Sequence, residues 1–465
     1  MSGSPFRLIH GGRSEEPTPG LLVVGASEVV TMAGGIRAGA AQGEVGRLSA
    51  TEAGGPGAPD APVVACWEGR IVAVGPRAAL EAALEAEGYP LGRFARIDAG
   101  GGTVSPGLID PHTHLLFAGS REGEWEMRQR GAGYLEILEA GGGILSTVGA
   151  TRAATVEELM AHGRRWLDEM IGHGVTTIEA KSGYGLDLET EIRLLEAAHR
   201  LGQEGPIDIV PTYLGAHAVP PEFRSRPDGT EAYVRSIIED QLPGVAAHGR
   251  ARFCDVFCES GVFSADQSRR ILEAAAAFGM ALRLHADELA PSGGAELAAE
   301  LGAFSADHLA TPSEAGIEAL AGAAAAAATE PDGGARPVVA TVLPATTWFL
   351  MKDHGAPART FIERGIPVAL GTDFNPGTSP TASLPLAMTV ACIELGLTPD
   401  EALAAVTINA AWALGLEDEI GSLEPGKSAD LVVWRVPTST QIPYWPAADL
   451  ARTVVKRGRV VLDRA

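Results

Sequence analysis

Several polar side chains stand where apolar runs of this sequence end: His112 and His114, Lys181, His217, His285, His308 and Asp373. Imidazole nitrogens and carboxylate oxygens are the donors that hold zinc or iron. In His112-Thr113-His114 the two imidazoles lie at i and i+2, on one face of an extended chain, so both reach a single ion. His285 in HADE (285–288) offers a third nitrogen, and Asp373 in GTD (371–373) a carboxylate that both ligates and accepts a proton. His112, His114, His285 and Asp373 around one ion with an open position describe a catalytic site rather than a closed structural one. Such an ion brings the pKa of bound water toward neutrality and polarises a carbonyl. Zinc fits this donor set and iron fits it nearly as well. His308 in SADH (305–308) is either a fourth ligand or, the reading preferred here, the group that orients the attacking water and the substrate carbonyl. Glu288, three residues after His285, would lean over the same mouth and move a proton between water and a ring nitrogen. A histidine pair by itself is a weak signal. It gains weight because the other donors end successive apolar runs.

Those runs are LIDPHTH (108–114), VTTIEAK (175–181), DIVPTYLG (208–215), ARFCDVFC (251–258), ALRLHAD (281–287), AFSADHL (303–309), PVVATVLP (337–344) and IPVALGTD (366–373). Helical patterns such as 187–203, 265–278 and 381–395 separate them. Eight near-continuous apolar strands with helical crossovers predict a closed parallel (β/α)8 barrel, in which the strand C-termini surround the active site. Alternating runs at 21–33, 62–76, 428–437 and 451–465 predict a small β-sandwich built from both chain ends. The expected division is 1–104 with 420–465 for the sandwich and 105–419 for the barrel. The Gly-, Ala- and Pro-rich stretch 34–61 reads as a loose surface loop, and 321–337 as the end of a helix with a surface insertion.

The chain has 465 residues, which suits a barrel with a smaller companion. Its formal net charge of −23 argues against a nucleic-acid or anionic-membrane partner but not against a small anion held by one local Arg. No apolar run is long enough for a membrane span, the N-terminus lacks a secretory pattern, and four scattered cysteines make no disulfide framework, so a cytoplasmic location is expected. Cys254 and Cys258 read as two small apolar residues on one strand face. His10, His162, His173, His199, His248 and His354 fall in predicted helices or loops and read as structural or surface residues.

PGLIDPHTH (106–114), HADE, SADH and GTD, in that order, resemble the amidohydrolase superfamily, and PGKSADLVVW (425–434) extends the resemblance over the sandwich. HTHLLFAGSREGEWEMRQRGAGYLEILEAGGGILSTVGATR (112–152), EAKSGYGLD (179–187), PTYLGAHAVPPEF (211–223) and TDFNPGTSP (372–380) resemble one branch of it. That branch hydrolyses the cyclic amide of 4-imidazolone-5-propanoate to N-formimidoyl-L-glutamate in histidine degradation. The resemblance implies His112, His114, His285 and Asp373 as metal ligands and Arg121, Tyr184, His217, Glu288, Asn375, Gly377 and Thr378 as contacts to substrate or product. It implies a homodimer as well. Arg121 suits the propionate, against the ordinary expectation of a surface ion pair. Tyr184 could equally be a packing residue, and Asn375 with Gly377 could simply form a turn. Lys181 ends the second strand rather than the fourth, which ends in Cys258-Glu259, so it is not placed to bridge two metals and one ion is expected. Two other readings remain: a cytosine- or guanine-type deaminase of the same superfamily, and a scaffold that has lost its chemistry. The second is weakened because all four ligands are present.

Overall fold

A computed structural model describes residues 7–8, 20–132, 136, 141–329 and 336–464. The eight expected strands are all found: β1 (Leu108–Asp110), β2 (Val175–Lys181), β3 (Asp208–Ala216), β4 (Phe253–Cys258), β5 (Ala281–Ala286), β6 (Ser305–His308), β7 (Val339–Val342) and β8 (Val368–Leu370). Each pairs in parallel with its sequence neighbour. The sheet rolls until β8 returns to β1. There the seam is joined beyond the strands: Asp373 N donates to His112 O at 3.0 Å and His114 N to Phe374 O at 2.9 Å. The Asp110 carboxylate accepts from Thr372 N at 3.1 Å and Thr372 Oγ1 at 2.6 Å. The residues that close the barrel are thus neighbours of the candidate ligands.

The crossover helices start where the local chemistry says they should. Thr155 with Glu158, and Ser264 with Gln267, form capping boxes ahead of Val156–Gly172 and Ala265–Ala277, and Asp187 caps Leu188–Glu204. Each turns a stripe to the barrel, such as Leu159, Leu167, Met170 and Ile171 on the first. The pattern at 381–395 becomes Leu384–Glu394. The alanine run after 321 is helix to Thr329, as alanine's propensity favours. Residues 330–335 of the expected insertion lie outside the described residues, as does His10.

The chain ends build two further sheets. A seven-stranded sheet takes Arg7–Leu8, Glu28–Val30, Arg47–Ser49 and Thr103–Pro106 together with Leu431–Trp434, Ala451–Lys456 and Arg459–Asp463. A four-stranded one takes Gly20–Val24, Pro62–Trp67, Arg70–Pro76 and Phe94–Asp98. Leu21, Val23, Val64 and Ile71 of the second pack against Val29, Val104, Leu431 and Val455 of the first in one core. Buried Trp434 donates its indole N–H to Ser105 Oγ at 2.8 Å, tying the C-terminal strand to the N-terminal one. The sequence reading did not anticipate helix Arg77–Ala86 or strand Phe94–Asp98.

The stretch 34–61 is a correction: its first half is not a loose loop. A short 3-10 helix (Gly39–Gly43) and the strand Arg47–Ser49 lie in it, and Arg37 and Gln42 are buried. Composition alone hid this because the segment is ordered by tertiary hydrogen bonds. Gln42 Nε2 donates to Val368 O at 3.0 Å. Asn409 Nδ2 donates to Val368 O and Arg37 O, both at 2.8 Å, and Asn409 Oδ1 accepts from Arg37 N at 2.8 Å. Asn409→Ala would orphan several buried backbone groups at once. A loss of about 2–4 kcal/mol is expected, read as a lowered urea midpoint with unchanged secondary structure.

Candidate active site

The interior of the barrel explains where the donors point. In β2 through β6 alternate residues face inward, and on this face stand Glu179 and Lys181, Asp255, Arg283 and His285, and Asp307. At the mouth the chain leaves the strands sharply, with Asp287, His308 and Asp373 in the left-handed region at φ of 51°, 71° and 53°. Non-glycine residues adopt this conformation rarely, and it concentrates at functional sites.

His112, His114, His285, His308 and Asp373 converge there, all buried. His114 Nε2 and His285 Nε2 face each other at 3.4 Å, and Asp373 Oδ1 lies 3.5 Å from Nε2 of both His112 and His114. The donor atoms of His112, His114 and His285 lie within 4.8 Å of one another, as do those of His112, His308 and Asp373. His112 donates its Nδ1 proton to Asp307 Oδ2 at 2.7 Å, so its Nε2 carries the free lone pair, buried and without a protein partner. His308 Nε2 is likewise unpartnered, with Glu288 Oε2 at 3.8 Å. Buried nitrogens without partners, turned toward one another beside a carboxylate, are what a cation would satisfy. Thr346 Oγ1 takes the other Asp373 oxygen at 2.6 Å and orients it.

Burial sets the charge states. It drives His112 and His114 well below the usual imidazole range, reinforced by neighbouring cationic groups, and brings His308 down to about 4 and His217 to about 3. These rings are neutral, the form that ligates metal. For His285, burial is outweighed by Asp255, whose Oδ2 lies 3.0 Å from Nδ1, and the pKa rises. Burial raises the Asp373 carboxyl and pushes Glu288 up to about 7.

Above this floor opens a cavity of about 1370 Å³ whose wall includes Arg121, Tyr184, His217, Glu288, Asn375 and Thr378. His217 donates Nδ1–H to Gly183 O at 2.9 Å and stacks on His114 with centroids 5.0 Å apart. A Cβ on Gly183, at φ +97°, would meet that Nδ1 at 2.9 Å. Tyr184 is buried beside both rings. Asn375 has its amide committed to its own loop, accepting from Gly377 N and Thr378 N and donating to Asp373 O and Thr378 Oγ1. Gly377 backs Arg121 instead of lining the cavity: a Cβ there would fall 2.0 Å from Arg121 Nη1. Arg121 is no surface ion pair. Its Nε and Nη2 each lie 2.9 Å from the Glu124 carboxylate in a mostly buried pair, its Nη1 packs against Gly377, and the residue borders the cavity.

The sequence reading missed the residues that hold these groups in place. Glu124 carries Arg121 and also accepts from Gly143 N at 2.7 Å. Arg128 donates to Gly377 O at 3.1 Å. Glu191 accepts from the backbones of Gly183, Gly185 and Leu186, shaping the loop of Tyr184. Glu259 accepts from Leu289 N at 2.8 Å beside Glu288. For Asp255 and Arg283, also missed, the available signal was a charge inside an apolar strand, in FCDVFC and ALRLHA, which must find a partner when buried. Glu124, Arg128, Glu191 and Glu259 lie outside the strands and gave no such signal. Lys181 is locked among carboxylates, 2.8 Å from Glu179 and 2.7 Å from Asp255. Cys254 and Cys258 are buried strand residues. His162 packs on Phe117, His354 is exposed, and His173, His199 and His248 are partly buried away from the mouth.

Comparison with known proteins gives one consistent picture. The amidohydrolase family profile matches residues 103–461. An imidazolonepropionase of Geobacillus kaustophilus is 51% identical over 445 residues, 95% of this chain and 98% of that protein. One from Symbiobacterium thermophilum is 50% identical over 444 residues, 95% of this chain and 97% of the relative. Among solved structures, a zinc-bound adenosine deaminase from Xanthomonas campestris superposes with TM-score 0.60 at 18% identity, covering 96% of this chain and 93% of that one. A 5-methylcytosine deaminase from Klebsiella pneumoniae gives 0.62 at 18% identity, over 87% and 95%. At such identity these two structures speak for the fold alone. Family membership and the His/Asp cluster together support a metal cofactor.

Purified protein is therefore expected to carry about one equivalent of divalent metal that chelation removes and added metal restores. His285→Ala should weaken metal retention by about 100-fold or more, measured by elemental analysis after gel filtration.

Proposed function

The chain belongs to the amidohydrolase family and, within it, to the imidazolonepropionases, and from that premise we propose how its site opens the ring of 4-imidazolone-5-propanoate. The observation that carries the reading is a cluster of unpartnered imidazole nitrogens and a carboxylate directly beneath a cavity with Arg121 in its wall.

His112, His114, His285 and Asp373 would hold one ion, zinc or iron by donor chemistry. When bound, such an ion acidifies water and polarises the lactam carbonyl. Arg121 takes the substrate carboxylate on the part of its guanidinium that Glu124 leaves free, and so fixes the ring's orientation. Tyr184 and His217 wall the ring, and Asn375, Gly377 and Thr378 form the loop on the opposite side. Asp373, beside His308, accepts a proton from the attacking water as its oxygen adds to the carbonyl carbon. His308, buried and neutral, offers an N–H to the developing oxyanion. Glu288, raised by burial to about 7, gives its proton to the leaving ring nitrogen, and Asp373 passes the water-derived proton to the same nitrogen. The hydroxyl of the nascent carboxylic acid re-protonates Glu288, leaving a carboxylate and an amidinium. The C–N bond breaks and N-formimidoyl-L-glutamate is released. The same reading includes a homodimer, a cytoplasmic location, and a division into barrel (105–419) and sandwich (1–104 with 420–465). No helix among the described residues is long and apolar enough to cross a membrane.

The direct test supplies 4-imidazolone-5-propanoate, made in situ from urocanate by urocanase, and follows the loss of imidazolone absorbance. Chelator-sensitive decay to formimidoylglutamate is expected, and no acceleration by metal-replete protein would refute the assignment. Arg121→Ala should lower kcat/KM by about 100-fold or more, the scale of a lost charge-assisted pair. A deaminase acting on a neutral base would lose little, so this variant separates the two chemistries. The pH profile tests Glu288. A proton donor with a pKa of about 7 is competent below that pH and loses its proton above it, so kcat should fall as pH rises through about 7. Glu288→Gln should lose most of the rate and remove that limb, and an unchanged profile would exclude Glu288 as the donor.

A further inference from the structure

Lys181 is 1% exposed and takes no part in the mechanism above. Burying an ammonium is costly unless every nearby charge is matched. Its Nζ meets Glu179 Oε1 at 2.8 Å, Asp255 Oδ2 at 2.7 Å and Asp307 Oδ2 at 3.5 Å, three carboxylates from β2, β4 and β6, all fully buried. Each of these carboxylates has a second engagement, and each leads to a candidate metal ligand. Asp307 Oδ2 receives His112 Nδ1–H at 2.7 Å. Asp255 Oδ2 lies 3.0 Å from His285 Nδ1, and Asp255 Oδ1 accepts from His285 N at 3.0 Å. Glu179 Oε2 accepts from Thr113 N at 3.3 Å, and Glu179 O accepts from Thr113 Oγ1 at 2.6 Å, fixing the residue between His112 and His114.

We propose that Lys181 is the positioning residue of the metal site: through Asp255, Asp307 and Glu179 it sets the orientation of His285 and His112 and of the backbone between His112 and His114. The inference rests on the reading of these histidines as ligands. Held on one side by Lys181, Asp307 presents a fixed lone pair to His112 Nδ1–H, and Asp255 anchors His285 through its backbone N–H and a 3.0 Å approach to Nδ1, which together fix which ring nitrogen faces the ion. Among the described residues Arg283 is the only other Lys or Arg within 4 Å of these carboxylates. It donates to Asp307 Oδ2 at 2.9 Å and lies 3.9 Å from Glu179 Oε1. It makes no such contact with Asp255 among the described residues. Two cations therefore face three carboxylates, leaving one net negative charge beneath a cation site. Asp307 keeps Arg283 in direct contact if Lys181 is lost, whereas Asp255 keeps, among the described residues, only His285 within ion-pair distance. The dependence on Lys181 should therefore run chiefly through Asp255.

A double-mutant cycle in Zn2+ affinity tests this, with Lys181→Met (similar in length, uncharged) and Asp255→Asn. Chelator competition gives the affinity, and thermal melting of the metal-free protein reports folding separately. Each single variant should bind Zn2+ about 10–100-fold more weakly at temperatures where its apo form is folded. In the Asp255→Asn background, Lys181→Met should cost less than about threefold more, because both act through one contact. At saturating Zn2+ the kcat of Lys181→Met should recover toward the parent value while the weakened affinity persists. Parent-like Zn2+ affinity in Lys181→Met, or effects that multiply in the double variant, would overturn the proposal. Should Lys181→Met alone fail to fold, the doubly neutral variant serves: equal weakening in it and in Asp255→Asn supports the coupling, and parent-like binding by Asp255→Asn overturns it. A parent protein that binds no Zn2+ would instead refute the ligand assignment itself.

Discussion

Charges inside a parallel barrel must be partnered across strands, because no water reaches them and the backbone groups are already spent on the sheet. Asp307 illustrates the constraint. One of its oxygens serves His112, Arg283 and Lys181, and the other accepts from Ser305 Oγ at 2.6 Å. Those partners come from the mouth of β1 and from β5, β2 and β6. The arrangement exists only when these strands are in register, with His285 beside Asp307 across the β5–β6 pair and Asp255 beside Arg283 across β4–β5. A slip of one residue would turn the whole charged set into the helical layer. Barrel registry and site geometry are in this sense one property.

The same burial governs the chemistry. Imidazoles sunk among apolar strand ends stay neutral and keep a lone pair available. A carboxyl at the rim, Glu288, is raised by the same burial to about 7. Asp373 sits between these regimes. One oxygen faces His112 and His114, and the other is held by Thr346. Its left-handed backbone lets the chain turn immediately into the 374–379 loop that closes over the cavity wall.

That wall depends on a second pair. Arg121 and Glu124 are three residues apart at the start of helix Glu122–Gln129, a spacing that brings the side chains together on one helix face. The carboxylate neutralises one edge of the guanidinium and fixes its plane, and Gly377 leaves room for it by having no Cβ. Arg128 completes the contact from the loop side through Gly377 O. An acidic protein can present a cationic pocket in this way, because the charge that matters is local and pre-oriented.

The amino-acid sequence by itself determined the eight strands, the capped helices between them and the identity of the donors at the strand ends. Hydrophobic period, capping residues and His-X-His spacing are local signals, and each was legible from a few neighbours. It did not reveal that Gln42 and Asn409 would order part of a Gly- and Ala-rich stretch against β8. Nor did it reveal that Lys181 would sit among Glu179, Asp255 and Asp307. Those partners are up to 372 positions apart, as for Arg37 and Asn409, or buried within strands that read as apolar. Only tertiary structure decides them, because a buried charge or amide selects its partner by what the closed barrel brings within about 3 Å, and not by what lies near it in the chain.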